Sequence, residues 1–262
     1  MRRLLLLLIT ACKIGRSLAA PLPTVLMGNW QVAQVGTDTW ITSSDNIVPN
    51  DPYLIGRRVI ISQAEISSPM SYLADCSSPE IDSAPDVSLD KLVALTEGER
   101  QSEPVKPIAK DYDLAFSGSQ HVTPLMLHCK KGNFASEGAN IKPWLVVADK
   151  NTLLVSGNMS SILTLKRIID ERPSPSFNCR KVQQDDEKAI CISFDLATWD
   201  KSVNKAYRAA LWQLKQAKNK HELNEVMHSQ QIWIKKRADC NTDSRCLYQS
   251  MFDRIGVLRK YY

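Results

Sequence analysis

The chain has 262 residues, 44% apolar and 23% charged, with a formal net charge of +5; that is enough for one large domain or two modest ones, and it excludes a disordered chain. Four of the positive charges (Arg2, Arg3, Lys13, Arg16) fall within the first nineteen residues, so the remainder sits near +1 and gives no charge argument for nucleic-acid binding. Past the leader, no stretch approaches the ~20 apolar residues that a membrane-spanning helix needs.

The leader "MRRLLLLLITACKIGRSLA" combines a basic start, an apolar run and small residues near its end, the pattern of an export signal over residues 1–19. Cleavage after Ala19 is the favoured reading and releases a periplasmic or secreted protein. The alternative takes Ile9 to Cys12 as a lipobox, with a lipid anchor on Cys12 and outer-membrane association. Beyond Cys12 six cysteines remain (Cys76, Cys129, Cys179, Cys191, Cys240 and Cys246), an even set suited to an oxidising compartment.

Residues 20–172 read as an antiparallel β domain. "NWQVAQV" and "GRRVIIS" are strand-like, "YDLAFS" alternates, and Pro143 to Ile169 contains three strands separated by turns near Asp149 to Asn151 and at Gly157-Asn158. Strands this numerous favour a small barrel or sandwich. Cys76 and Cys129, the only cysteines of this half, are expected to bridge. "SSPEIDSAPDVS", Ser77 to Ser88, reads as an acidic, proline-rich loop suited to meeting a partner. Gly28-Asn29-Trp30, taken with Arg167, resembles the lipocalin pairing in which an arginine covers the tryptophan at the closed end of a barrel.

The seam "ERPSPSF" marks a change of periodicity, which places a linker at 173–177 and a helical domain at 178–262. Residues 20–176 carry 13 basic and 18 acidic side chains, and residues 177–262 carry 16 and 10. The halves are therefore of opposite charge and suited to docking on each other. Three helices follow. The first, capped by Asp195, buries Leu196, Trp199, Val203, Ala206, Tyr207, Ala210, Leu211 and Leu214. A second, opened by the capping box Asn219/Glu222, turns Leu223, Val226, Met227, Gln230, Trp233, Ile234 and Arg237 inward, and the last carries Leu247, Met251, Ile255 and Leu258. About 85 residues make a marginal core without covalent help. Of the three pairings open to the four cysteines of this half, the two local bridges Cys179–Cys191 and Cys240–Cys246 are favoured. The fold class expected is α+β, a β barrel or sandwich followed by a disulfide-stapled three-helix domain.

"FNC", "DEKAIC", "DLATWDKSVNKAY", "QQIWIKKRADC" and "CLYQSMFDRIGVL" together resemble the LprI-type lysozyme-inhibitor domain of bacterial envelope proteins. The matching positions are Cys179, Glu187, Ile190, Cys191, Leu196, Asp200, Tyr207, Gln230, Trp233, Arg237, Cys240, Cys246 and Arg254, about a third of the chain. The resemblance implies an envelope protein that inhibits lysozyme. Trp233 and Arg237 are four residues apart on one helix face, and Asp200 precedes Val203 and Tyr207 by one turn. Arg237 and Asp200 are thus expected to form a buried pair that fixes helix register. A lone carboxylate held by arginine, with no nucleophile or base beside it, makes no active site.

The sequence offers no enzyme motif, whether Gly-x-Ser-x-Gly, His-Glu-x-x-His or a phosphate loop, and no catalytic, cofactor or metal site is expected. His221, Glu225 and His228 share a helix face but are read as solvated residues, and Asn158-Met159-Ser160 matches a glycosylation pattern that carries no weight in a bacterial protein. The expected activity is protein binding, directed at lysozyme or another hydrolase or effector. The alternatives are a lipocalin-like carrier of a small apolar ligand and an immunity- or chaperone-like partner of an exported effector. Lys235, Lys236, Arg259 and Lys260 are candidates for contact with an anionic envelope surface.

Overall fold

The computed structural model describes residues 21–40, 47–70, 73–97, 105–134, 141–157 and 160–261; the leader with Cys12 and Ala19, and the Asn158-Met159 pair, lie outside them. Ten strands and five α-helices follow in order: β1 (Gly28–Thr37), β2 (Arg58–Ile61), β3 (Glu65–Ser67), β4 (Ala74–Ser83), β5 (Val87–Ser88), α1 (Leu89–Glu97), β6 (His121–Val122), β7 (Leu125–Phe134), β8 (Trp144–Asp149), β9 (Thr152–Ser156), β10 (Ser161–Arg167), α2 (Asp185–Ile192), α3 (Phe194–Gln216), α4 (Lys220–Ala238) and α5 (Ser244–Leu258). The α+β expectation holds, with four helices after the barrel, α2 to α5, where three were expected. Eight strands close into an antiparallel barrel in the order β1-β10-β9-β8-β7-β4-β3-β2; every neighbour is the next barrel strand in sequence, and β1 meets β10 to close the ring. Closure removes the free edges that an open sheet would expose.

The strand alternation explains the two faces of the wall. Leu145, Leu153, Val155, Leu163 and Leu165 point into the barrel with Trp30, Val32 and Val35, while Trp144, Val146, Leu154 and Ile162 point outward. Strands β8 to β10 are thus buried on both sides, because α1 and the turn Ala109–Tyr112 cover their outer face with Leu89, Leu92, Val93 and Tyr112. The Trp144 indole donates to Thr96 Oγ1 of α1 at 2.8 Å. At Gly36 of β1 a Cβ would stand 2.3 Å from the Tyr112 carbonyl oxygen, so only glycine lets this cover close.

One end of the barrel is sealed by a 3-10 turn, Thr24–Leu26, whose Leu26 carbonyl accepts the Trp30 indole N–H at 2.8 Å. Arg167 lies directly across from Trp30 in the β1–β10 ladder. Its guanidinium sits 4.1 Å from the ring centroid and donates to the Met27 and Val25 carbonyls. A partly exposed cation over an indole contributes about 1 kcal/mol, and the arginine also satisfies two carbonyls that the turn leaves open.

Three elements differ from the sequence expectations. Ser77 to Ser88 is not a loop for most of its length: its first seven residues are strand β4, paired with β7 from Ala74↔Phe134 to Ser83↔Leu125. Pro79 is tolerated because β3 ends its pairing at Glu65↔Ser77, which leaves that edge of β4 with no partner needing the missing N–H. "YDLAFS" is not a strand but the exit of the turn Ala109–Tyr112, where Asp113 takes a left-handed φ of 52°. Helix α3 is capped by Ser193, whose side chain accepts from the Leu196 N–H, rather than by Asp195.

The disulfides are Cys76–Cys129 between β4 and β7, Cys179–Cys191 across α2, and Cys240–Cys246 between α4 and α5. Both helical bridges are the local ones favoured from the sequence. The barrel interior and the helices belong to one continuous apolar core.

Candidate functional site

The helices rest on the connections after β1 and β3. Arg57 is 3% exposed; it stacks 3.5 Å from the Trp199 ring centroid of α3 and donates to the Thr198 carbonyl and Ser202 Oγ at 3.1 and 2.7 Å. Tyr53 packs on Phe252 at 4.6 Å, Trp199 meets Tyr248 edge-on at 5.1 Å, and Tyr248 Oη donates to Met70 Sδ. At Gly256 a Cβ would lie 2.8 Å from the Tyr53 hydroxyl, so α5 approaches the barrel connection through a glycine. Arg58 adds ion pairs to Glu171 at 2.9 Å and Asp195 at 3.3 Å.

Inside the helical region a buried charge cluster fixes the packing. Arg237 of α4, 4% exposed, donates from Nε to Asp186 of α2 at 2.9 Å and from Nη1 to Asp200 of α3 at 3.5 Å. Asp200 also accepts the Ser176 backbone N–H at 2.6 Å, which ties the segment before α2 to the same carboxylate. One guanidinium therefore joins three helices, each carboxylate being too costly to bury without it. The structure brings together Asp200 and Arg237, and it adds Asp186. Of the two carboxylates that open α2, Asp185 is exposed, where favourable interaction with the helix dipole accounts for it, but Asp186 is 2% exposed and turned inward.

Trp233 is half-buried. Its indole N–H donates to the Ser250 carbonyl and hydroxyl of α5 at 3.2 and 3.1 Å, and its ring lies between Arg237 (5.3 Å) and Arg254 (6.0 Å). Arg254 reaches Gln230 Oε1 at 2.7 Å and Ser229 Oγ at 3.1 Å, and burial pulls its pKa below the usual arginine value. The stretch Ser229 to Cys240 is thus occupied in holding α4 to α2, α3 and α5. Among the described residues no three metal-ligating side chains converge; His221 and Glu225 form an exposed contact at 3.5 Å.

Two sequence expectations about surfaces need correction. Met227 and Ile234 of α4 are 44% exposed, not core, because α4 is the outermost helix and only Val226 and Arg237 along it are fully buried. Arg259 does not project into solvent beside Lys260: it pairs with the buried Asp51 at 3.5 Å and lies 5.4 Å from the Tyr53 ring. Lys235, Lys236 and Lys260 are exposed. No helix among the described residues is long and apolar enough to cross a membrane.

No curated protein and no solved structure matches the chain. Residues 179–258 match the family model described as Lysozyme inhibitor LprI, a span that opens on the first cysteine of the Cys179–Cys191 bridge and closes with α5. The helical part of this chain is thus similar to the LprI lysozyme-inhibitor domain, and the barrel that precedes it lies outside the match.

Proposed function

We propose that the chain is an extracytoplasmic protein-binding module that inhibits lysozyme or another peptidoglycan hydrolase. The observation that carries this reading is the family match over residues 179–258. The use of Trp233, Arg237, Asp186 and Asp200 for internal cohesion supports it, since binding is then left to the outer surfaces. Where the target is cationic, the acidic barrel supplies the attraction: Asp75 and Asp82 are exposed along β4, and Asp86 follows beyond its end. Complementary charge of this kind speeds encounter more than it tightens the complex.

The test is a pull-down together with a peptidoglycan-clearing assay, using the disulfide-bonded chain and lysozymes of differing charge. Binding and slowed clearing are expected, with Asp75→Lys/Asp82→Lys slowing association most at low salt. Absence of both binding and inhibition overturns the reading. A second reading, a lipocalin-like carrier, is favoured by the closed eight-strand ring and the Arg167–Trp30 contact. Saturable uptake of an apolar fluorescent probe without any hydrolase binding would select it.

A further inference from the structure

Lys201, Lys205, Arg208, Trp212 and Lys215 follow one another at steps of four, three, four and three, hence on one face of α3. All five are exposed, the Trp212 side chain by 57%. At 1.5 Å per residue the row covers about 21 Å. The two acidic residues of α3 lie off this face, Asp195 against Arg58 and Asp200 against Arg237. None of the four cations has an ion pair among the described residues. At its N-terminal end the row opens into a groove of about 490 Å³ between α3 and β1, where Lys201 and Lys205 stand with Gln31, Ser174, Thr198, Phe194 and the Asp170–Arg172 ion pair, in which the arginine neutralises the one carboxylate.

We propose that this face binds an acidic polysaccharide, with carboxylates on the cation row, one sugar ring on Trp212 and the strand continuing into the groove. An unbroken line of cations calls for a linear polyanion. An exposed indole offers a flat face to a ring. The amide and hydroxyls of Gln31, Thr198 and Ser174 suit a ligand that carries hydroxyl groups along its length. A lipid surface fits less well, because Trp212 is the one large apolar side chain of the row. Single-stranded nucleic acid is bound on successive exposed aromatic platforms, and of the two rings here only Trp212 is exposed, Phe194 being partly buried with Arg58 over it. A protein partner would be anchored in a desolvated apolar pocket at the centre of the contact, whereas this row is convex and charged.

The experiment titrates oligogalacturonate into the full disulfide-bonded chain by calorimetry at two salt concentrations, with methyl-esterified oligomer as the uncharged comparator. Saturable binding that weakens with salt is expected, with the ester bound at least tenfold more weakly. Trp212→Ala should lower affinity about tenfold and leave the salt dependence unchanged. Lys201→Gln/Lys205→Gln/Arg208→Gln should lower affinity and flatten the salt dependence, while Lys235→Gln/Lys236→Gln on α4 leaves both alone. All substituted side chains are exposed, and circular dichroism of each variant reports that the fold is kept. No saturable binding, equal binding of the ester, or affinity unmoved by both α3 variants overturns the proposal. Binding confined to phosphatidylglycerol vesicles or to single-stranded DNA overturns it as well. Lysozyme inhibition is read in a separate assay, so either conclusion can fail without the other.

Discussion

Arg237 illustrates how one side chain decides a packing. Its guanidinium meets Asp186 and Asp200, all three are nearly inaccessible, and Asp186 Oδ1 has no hydrogen-bond partner among the described residues. Removing the cation leaves two buried carboxylates uncompensated, so Arg237→Ala should cost about 3–5 kcal/mol, the range for breaking a buried pair. Denaturant melts of the disulfide-intact variant measure this. Arg237→Lys keeps the charge but loses the fork that spans two helices, and should fall between the variant and the parent. From the sequence, the spacing of Trp233 and Arg237 and the position of Asp200 were readable because helix periodicity fixes which residues share a face. Asp186 was not, since a carboxylate in the first turn of a helix looks the same whether it serves the dipole or turns inward.

Among the elements, legibility followed pattern strength. Strands β8 to β10 were readable because strands of five to seven residues, rich in apolar side chains, are separated by short turns, and α3 because its buried positions recur over 23 residues. The eight-residue α2 was not among the three helices expected: Asp185 to Lys188 is wholly charged, and a helix this short lives on tertiary contacts and its bridge rather than on propensity. Helix α4 was over-read, because apolar periodicity reports amphipathicity and not what lies opposite; Met227 and Ile234 have no helix beyond them to meet. The bridges should matter in the order of the chain they enclose. With separations of 53, 12 and 6 residues, chain-entropy losses of about 4, 3 and 2 kcal/mol are expected on replacing Cys76/Cys129, Cys179/Cys191 and Cys240/Cys246 by serine pairs. Melting of the three double variants tests the ranking, and a reversed order would point to folded-state contacts as the larger contribution.

At the scale of the whole molecule, the continuity of the core has a thermodynamic consequence. Arg57, Tyr53, Met70, Trp199, Tyr248 and Phe252 join the barrel connections to the helices through buried contacts. Both parts should therefore melt together, with far-ultraviolet and near-ultraviolet dichroism tracing coincident curves. Arg57→Ala strips the Trp199 face and removes the donor to the Ser202 hydroxyl oxygen, and it should split those curves. Coincidence in that variant would locate the coupling elsewhere in the aromatic contacts. The bond from the Ser176 N–H to Asp200 reaches further. A fragment trimmed to begin at Cys179, where the family match starts, would discard a donor that the carboxylate uses, and any transplant of the tail onto a foreign carrier would inherit that deficit unless the preceding residues travelled with it.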